Sequence, residues 1–242
     1  ALLVYNPVCH WVWGAGGFLK AAGVVDFAGG LVVHLTCGAA ALASVLIVGP
    51  RKDYGKTQFF PHSLPLTLLG TGMLWFGMAM WTIVEWWHRG KPTTLGAASG
   101  AVAGLATITP GAGFVAPWAA IAIGLIAGGA CYLGVLAKAR LGYDDSLDVV
   151  GIHGLGGLIG TLLAGVFATK AVNAAGVDGL LYGNAAQLGV QAYGVLVVGA
   201  FALVASWVLL KAVNALMPLR ATLEAESQGL DLAEHTETAY SD

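Results

Sequence analysis

Two histidines stand where an apolar helix would cross a bilayer. His34 lies in FAGGLVVHLTCGAAALASVLIV and His153 in VVGIHGLGGLIGTLLAGVFA. A titratable ring at bilayer depth is costly, so it faces a bundle interior, a cavity or a pathway. Glycines border both rings and let a neighbouring backbone or a narrow passage come close. One such histidine alone reads equally well as a core residue satisfied by a neighbouring helix. Two in matching glycine-rich settings point to a shared transmembrane site, where paired imidazoles accept hydrogen bonds and relay protons. Metal or acid–base work by a membrane-embedded enzyme is the competing chemistry, but the chain has no HExxH and no obvious third ligand.

The elements that must carry these rings are membrane elements. Of 242 residues, 57% are hydrophobic and 10% charged, with 36 glycines and a mean hydropathy of +0.78. A soluble domain carries about 25% charged residues. No charged residue occurs between Pro92 and Ala137 or between Val149 and Ala168. About 20 apolar residues span a bilayer, so the first run holds two helices. The net charge of -2 offers no basic stripe, which argues against nucleic acid. Cys9, Cys37 and Cys131 are scattered without a CxxC and read as small buried hydrophobes.

Apolar runs, Gly-Pro breaks and charged caps predict a helix end at about 1–14 and helices at about 29–49, 63–87, 94–109, 117–138, 149–169 and 187–216. The fold class is therefore all-α, a polytopic membrane helix bundle. Residues 1–220 form the transmembrane part and residues 221–242 a polar, acidic tail on the cytoplasmic side. Basic clusters at Arg51/Lys52/Lys56, Arg89/Lys91, Lys138/Arg140 and Lys211/Arg220 should share the cytoplasmic side. Two helices separate the second cluster from the third, and two more separate the third from the fourth. Only one separates the first from the second, which breaks parity: either the segment 63–87 is re-entrant or something is missing from it, and the charge pattern favours an internal deletion. The apolar start ALLVYNPVCHWVWG reads as truncated.

Four motifs now carry a resemblance. They read VVDFAGGLVVHLTCGAAAL, RGKPTTLGAASGAVAGLATITPGAGFV, DVVGIHGLGG and QGLDLAEHTETAY. Together they resemble the signatures of the ammonium transporter (Amt/MEP/Rh) family over almost the whole chain. The resemblance implies an eleven-helix fold of two inverted repeats, assembled as a homotrimer with one pore per subunit. This chain looks like the end of the fourth helix, the fifth, and most of the second half. At Trp75-Phe76-Gly77 the family pattern jumps into MAMWTIVEWWHRGKP. That junction near Gly77 omits the family's gate Phe and a recruitment Ser, and Met78 takes no gating role.

Residue by residue, the resemblance makes His34 and His153 the twin pore histidines. Trp13 becomes an aromatic wall of the outer ammonium recruitment site, where its face attracts a small cation. Asp26 becomes an ordering residue beside that vestibule, and its simpler reading is a helix cap. Gly229, Leu230, Asp231, His235, Glu237 and Tyr240 match a regulatory tail that helps to dock PII signal proteins, with Thr236 in place of the usual Gly. The implied substrate is ammonium or ammonia. Ammonium sheds its hydration shell to enter an apolar conduit, and the histidines replace part of that shell. The expected setting is the lipid bilayer of a cell membrane, multi-pass, or the inner membrane in a Gram-negative bacterium. No cofactor, no metal and no enzymatic activity are expected. The alternative is a non-conducting fragment or membrane interaction module. Asp144, Asp145 and Asp148 read as complements to a helix dipole. Glu85 reads as snorkelling near a helix end, and His10, His62 and His88 as interfacial.

Overall fold

The computed structural model describes residues 1–56 and 78–237. Its elements are α1 (Tyr5–Trp13), α2 (Phe18–Ala21), a π-helical segment π1 (Gly30–Leu35) running into α3 (Thr36–Val48), α4 (Met78–Arg89), α5 (Thr94–Ile108), α6 (Pro117–Leu141), a second π segment π2 (Val150–Gly154) running into α7 (Leu155–Phe167), α8 (Ala186–Leu216), α9 (Leu223–Gln228) and α10 (Leu230–His235). No strand occurs among the described residues; one isolated bridge joins Val115 to Ala168. The boundaries follow local chemistry. Pro117 opens α6, where its missing N–H is no loss. Thr93 caps α5, its hydroxyl accepting the Gly96 N–H at 2.9 Å. Gly142 ends α6 with a φ of +75°, a left-handed turn that glycine adopts without strain.

Among the described residues, four helical stretches are long and apolar enough to cross a membrane: Gly30–Val48, Pro117–Leu141, Val150–Phe167 and Ala186–Leu216. These coincide with four of the six helices expected. The stretch expected at 94–109 is a 15-residue helix, stopped by Pro110, which lacks an amide hydrogen. The segment expected at 63–87 is described only from Met78, so its first part and His62 lie outside the described residues. Met80 and Trp81 pack against Gly128, midway along α6. Trp81 and His88 both meet Tyr132, so the described part of α4 packs along the second half of α6.

The core is built from small residues that let backbones touch. A Cβ on Gly160 would lie 2.0 Å from the Thr107 carbonyl oxygen, and one on Gly38 would lie 2.2 Å from the Gly154 Cα. Ala101, Ala103, Ala119 and Ala127 are wholly buried on α5 and α6. Between such surfaces dispersion accumulates over many short contacts.

Several polar residues differ from their sequence reading. Glu85 does not snorkel: it is 3% exposed and accepts hydrogen bonds from the Thr93 N–H at 3.1 Å and hydroxyl at 2.9 Å, tying α4 to the start of α5. Asp144 is held by a partner distant in the chain. It takes a two-point ion pair from Arg51, with both distances 2.7 Å, and the Arg51 N–H at 2.9 Å. Burial pushes the Asp144 carboxyl up, and the Arg51 bonds outweigh it and hold it below the usual carboxylate range. Asp148 pairs with Lys138. Cys131 is buried as expected, whereas Cys37 is exposed. His88 Nδ1 lies 2.8 Å from the Tyr132 hydroxyl.

Arg220 binds the carbonyls of Val48 and Pro50, and Lys52 donates to the Ser227 hydroxyl at 2.7 Å. With the Arg51–Asp144 pair, these bonds gather the clusters at 51, 138 and 220 at one end of the bundle, as the charge rule requires.

Candidate functional site

The site begins at Asp26. Its carboxylate accepts the N–H groups of Gly29, Gly30, Leu31 and Val32 at 2.8, 2.7, 2.8 and 3.1 Å. A helix start leaves its first N–H groups without partners inside the helix, and one buried carboxylate here satisfies four. The cap expected of Asp26 is thus real, and larger than a single side-chain bond. Burial pushes its carboxyl up from the ordinary range, and the four donors pull against that shift without cancelling it. The helix it starts is wide, with π-type bonding over Gly30–Leu35, and His34 sits inside that wide turn. His153 sits in the equivalent wide turn Val150–Gly154, whose Val150 N–H donates to Asp145 at 2.7 Å. Single π turns occur often at functional sites.

The two turns bring the rings together. His34 Nδ1 and His153 Nδ1 are 2.9 Å apart, and the rings lie nearly parallel, with centroids 5.1 Å apart and planes 19° from each other. The helices bearing them run antiparallel. Gly38 touches Gly154, while a Cβ on Gly157 would meet the Gly30 carbonyl at 2.5 Å and the His34 Cβ at 2.9 Å. Both rings are half-buried. His34 Nε2 lies 3.3 Å from the Thr109 hydroxyl, which itself donates to the Leu105 carbonyl at 2.5 Å. One tautomer set satisfies every contact, assigned from this network. In it, His34 Nε2–H donates to Thr109, His153 Nδ1–H donates to His34 Nδ1, and His153 Nε2 keeps a free lone pair. A chain of this kind can accept a proton at one end and release one at the other.

Trp13 Nε1–H donates to the Asp26 carbonyl at 2.7 Å, so the two residues expected at the outer vestibule are bonded to each other. Thr109 was not foreseen. Its only signal in the sequence is a hydroxyl one residue before the Pro110 break. Two clefts of about 420 and 430 Å³, the first between α3 and α8 and the second along α4, α5 and α6, are lined without either histidine. Among the described residues no group of three His, Cys, Asp or Glu side chains could hold a metal ion.

The tail residues form a separate cluster. Gly229, with φ +98°, turns between α9 and α10; Leu230, Asp231 and His235 lie on α10. Glu237 donates its N–H to the Asp231 carbonyl at 3.2 Å, and Thr236 closes the helix in a left-handed turn at φ +57°. That conformation costs a non-glycine residue roughly 1–2 kcal/mol. Tyr240 lies outside the described residues.

A family model described as the Ammonium Transporter Family matches residues 1–78 and 76–240. The chain is 45% identical to an ammonium transporter of Bacillus subtilis (strain 168) over 273 aligned positions, covering all of this chain and 67% of the relative. Since this chain has 242 residues, 31 of those positions face a gap in it. A putative ammonium transporter of Methanothermobacter thermautotrophicus is 46% identical over 98% of this chain and 65% of its own length. The crystal structure of Saccharomyces cerevisiae Mep2 superimposes with a TM-score of 0.85 at 36% identity, over 92% of this chain and 58% of that one. The chain thus spans about two thirds of the curated relatives it matches. The family match also breaks at residues 76–78, inside the segment 63–87 that breaks charge parity.

Proposed function

The chain belongs to the ammonium transporter family, and from that premise we propose that it supplies the twin-histidine wall of a transmembrane conduit for ammonium or ammonia. The observation that carries the reading is the 2.9 Å contact between His34 and His153 on antiparallel apolar helices. A cation approaching from outside meets the Trp13 face beside Asp26, where a ring quadrupole offsets part of its lost hydration. Deprotonation leaves a small neutral molecule, which passes rings able to accept its hydrogen bonds and to relay the proton. Hydrated potassium finds no replacement for its shell in an apolar passage and is rejected. Members of the family are multi-pass membrane proteins, and this chain would lie in a cell membrane. A homotrimer and a PII-type partner at the α9–α10 tail complete the proposal, the latter supported by the anchoring of that tail to the end of α3.

A second reading has its own support. Both rings are half-exposed, and 31 positions of the Bacillus subtilis relative have no counterpart here. On this reading the 242-residue chain alone does not conduct, and the conduit needs the remaining length of its relatives. Stopped-flow measurement in liposomes tests both. The chain alone should alkalinise the vesicle interior no faster than empty vesicles. A chimera with the uncovered segments of the Bacillus subtilis relative grafted on should take up ammonium, and lose uptake or selectivity when His34 and His153 are both changed to Ala. Unchanged uptake and unchanged rejection of potassium in that double variant would end the relay proposal.

A further inference from the structure

Two glutamines are buried on α8, Gln187 at 4% exposure and Gln191 at 0%. A primary amide inside apolar packing is stable only with its hydrogen bonds made. Gln191 makes all of them. Its Oε1 accepts the Val25 N–H at 2.9 Å and a long bond from Gln187 Nε2 at 3.5 Å. Its Nε2 donates to the Val25 carbonyl at 2.8 Å and to the Thr161 carbonyl at 3.1 Å. An amide offers two donors and one oxygen with two lone pairs, so the set is complete. The flipped amide would aim N–H at N–H and oxygen at two carbonyls, so only one orientation works. Gln187, one turn earlier, donates to the Gly23 carbonyl at 2.9 Å and extends the grip along residues 23–25.

The partners of Gln191 are the notable part. Val25 immediately precedes Asp26, whose carboxylate starts the turn bearing His34. Thr161 lies on α7, two turns beyond His153. A Cβ on Gly165 would sit 2.9 Å from Gln191 Cγ, so the α7 backbone comes close to the side chain and seats it.

We propose that Gln191 is a positioning residue for the histidine pair. It sets the offset between the two antiparallel segments by holding Val25 of one and Thr161 of the other, without touching either ring. The inference rests on the twin-histidine reading above. The tolerance is narrow, because the ring nitrogens are 2.9 Å apart and a contact of 3.6 Å is no longer a hydrogen bond. A slip of 0.7 Å along the line between the two nitrogens ends it.

The test uses the 242-residue chain in lipid nanodiscs with ¹⁵N-labelled histidine. An Nδ1–H···Nδ1 bond gives a scalar coupling between the two ring nitrogens, assigned with His34→Ala and His153→Ala. Gln191→Met keeps length and removes the amide; the coupling should vanish while helicity is retained. Gln191→Glu, whose buried carboxyl stays protonated, keeps one acceptor and one donor for Val25 but has no second donor for the Thr161 carbonyl, so the bridge between the segments is released and the coupling should weaken. Coupling in Gln191→Met equal to that of the unaltered chain would overturn the proposal. Should Gln191→Met not fold, Gln191→Glu decides: weakened or lost coupling in a folded protein supports the positioning role, and coupling equal to that of the unaltered chain overturns it. An unaltered chain without coupling would instead remove the histidine pair itself, and the positioning role with it. None of these outcomes depends on whether the vesicles conduct.

Discussion

Gly38→Ala perturbs the histidine pair while leaving both imidazoles chemically unaltered. The added Cβ would lie 2.2 Å from the Gly154 Cα, and ordinary contact begins at 3.4 Å, so the two backbones must part by 1.2 Å. Both contact atoms are main chain, so no side chain can swing away. Gly38 is one turn beyond His34, and Gly154 adjoins His153. If half of the separation reaches the rings, their 2.9 Å contact opens to 3.5 Å, the edge of hydrogen bonding. Overpacking of this kind costs about 1–3 kcal/mol. We expect Gly38→Ala to lose the ring-to-ring nitrogen coupling and to melt several degrees lower in detergent. The control is Gly129→Ala on α6, where a Cβ meets nothing within 4 Å. That change should stay within about 0.5 kcal/mol of the unaltered chain. A Gly38→Ala protein with normal coupling and an unchanged melting midpoint would refute the claim that close backbone contact holds the rings together.

Asp26→Asn leaves one acceptor oxygen for four N–H donors and aims an amide at two of them. We expect a loss of about 2–4 kcal/mol, since each buried unsatisfied donor costs roughly 1–3; thermal unfolding in detergent measures it. The Asp144 carboxyl is held below its ordinary value, so its contribution is present above the unfolded pKa of about 3.9 and is lost as pH falls through the folded one. Arg51→Met should flatten the acid side of the stability profile by about 1 kcal/mol, the Arg51 side chain being 39% exposed; an unaltered acid slope would contradict the pair's role. Arg220→Ala removes the bonds to the Val48 and Pro50 carbonyls and to Glu226. Proteolysis within 217–230 should accelerate several-fold relative to cleavage in the 170–184 loop, and equal rates would mean that the tail is held by other contacts.

Much of this protein is determined by composition and spacing alone. Apolar runs of bilayer length locate the stretches that became Gly30–Val48, Pro117–Leu141, Val150–Phe167 and Ala186–Leu216, because transfer from water to lipid acts on each segment by itself. His34 and His153 stand out for the same reason: polar rings in such runs demand partners. A break within 63–87 is legible too, since charge parity counts crossings without needing their packing; its place near Gly77 comes from the family motifs. Other features depended on residues distant in the chain. Gln191 reads as an ordinary helix residue until Val25, 166 positions earlier, lies against it. Glu85 looks like a helix-end carboxylate until the turn to α5 folds Thr93 over it. Arg220 and Lys52 are simply basic loop residues until the tail returns to the end of α3. Even the wide turns that carry the histidines escape sequence reading. They are a choice of hydrogen-bond register, made where Asp26 takes four N–H groups and Gly38 meets Gly154. Hydrophobic pattern is a property of a segment, whereas hydrogen-bond partners and backbone approach are properties of pairs. Only the tertiary structure decides the pairs.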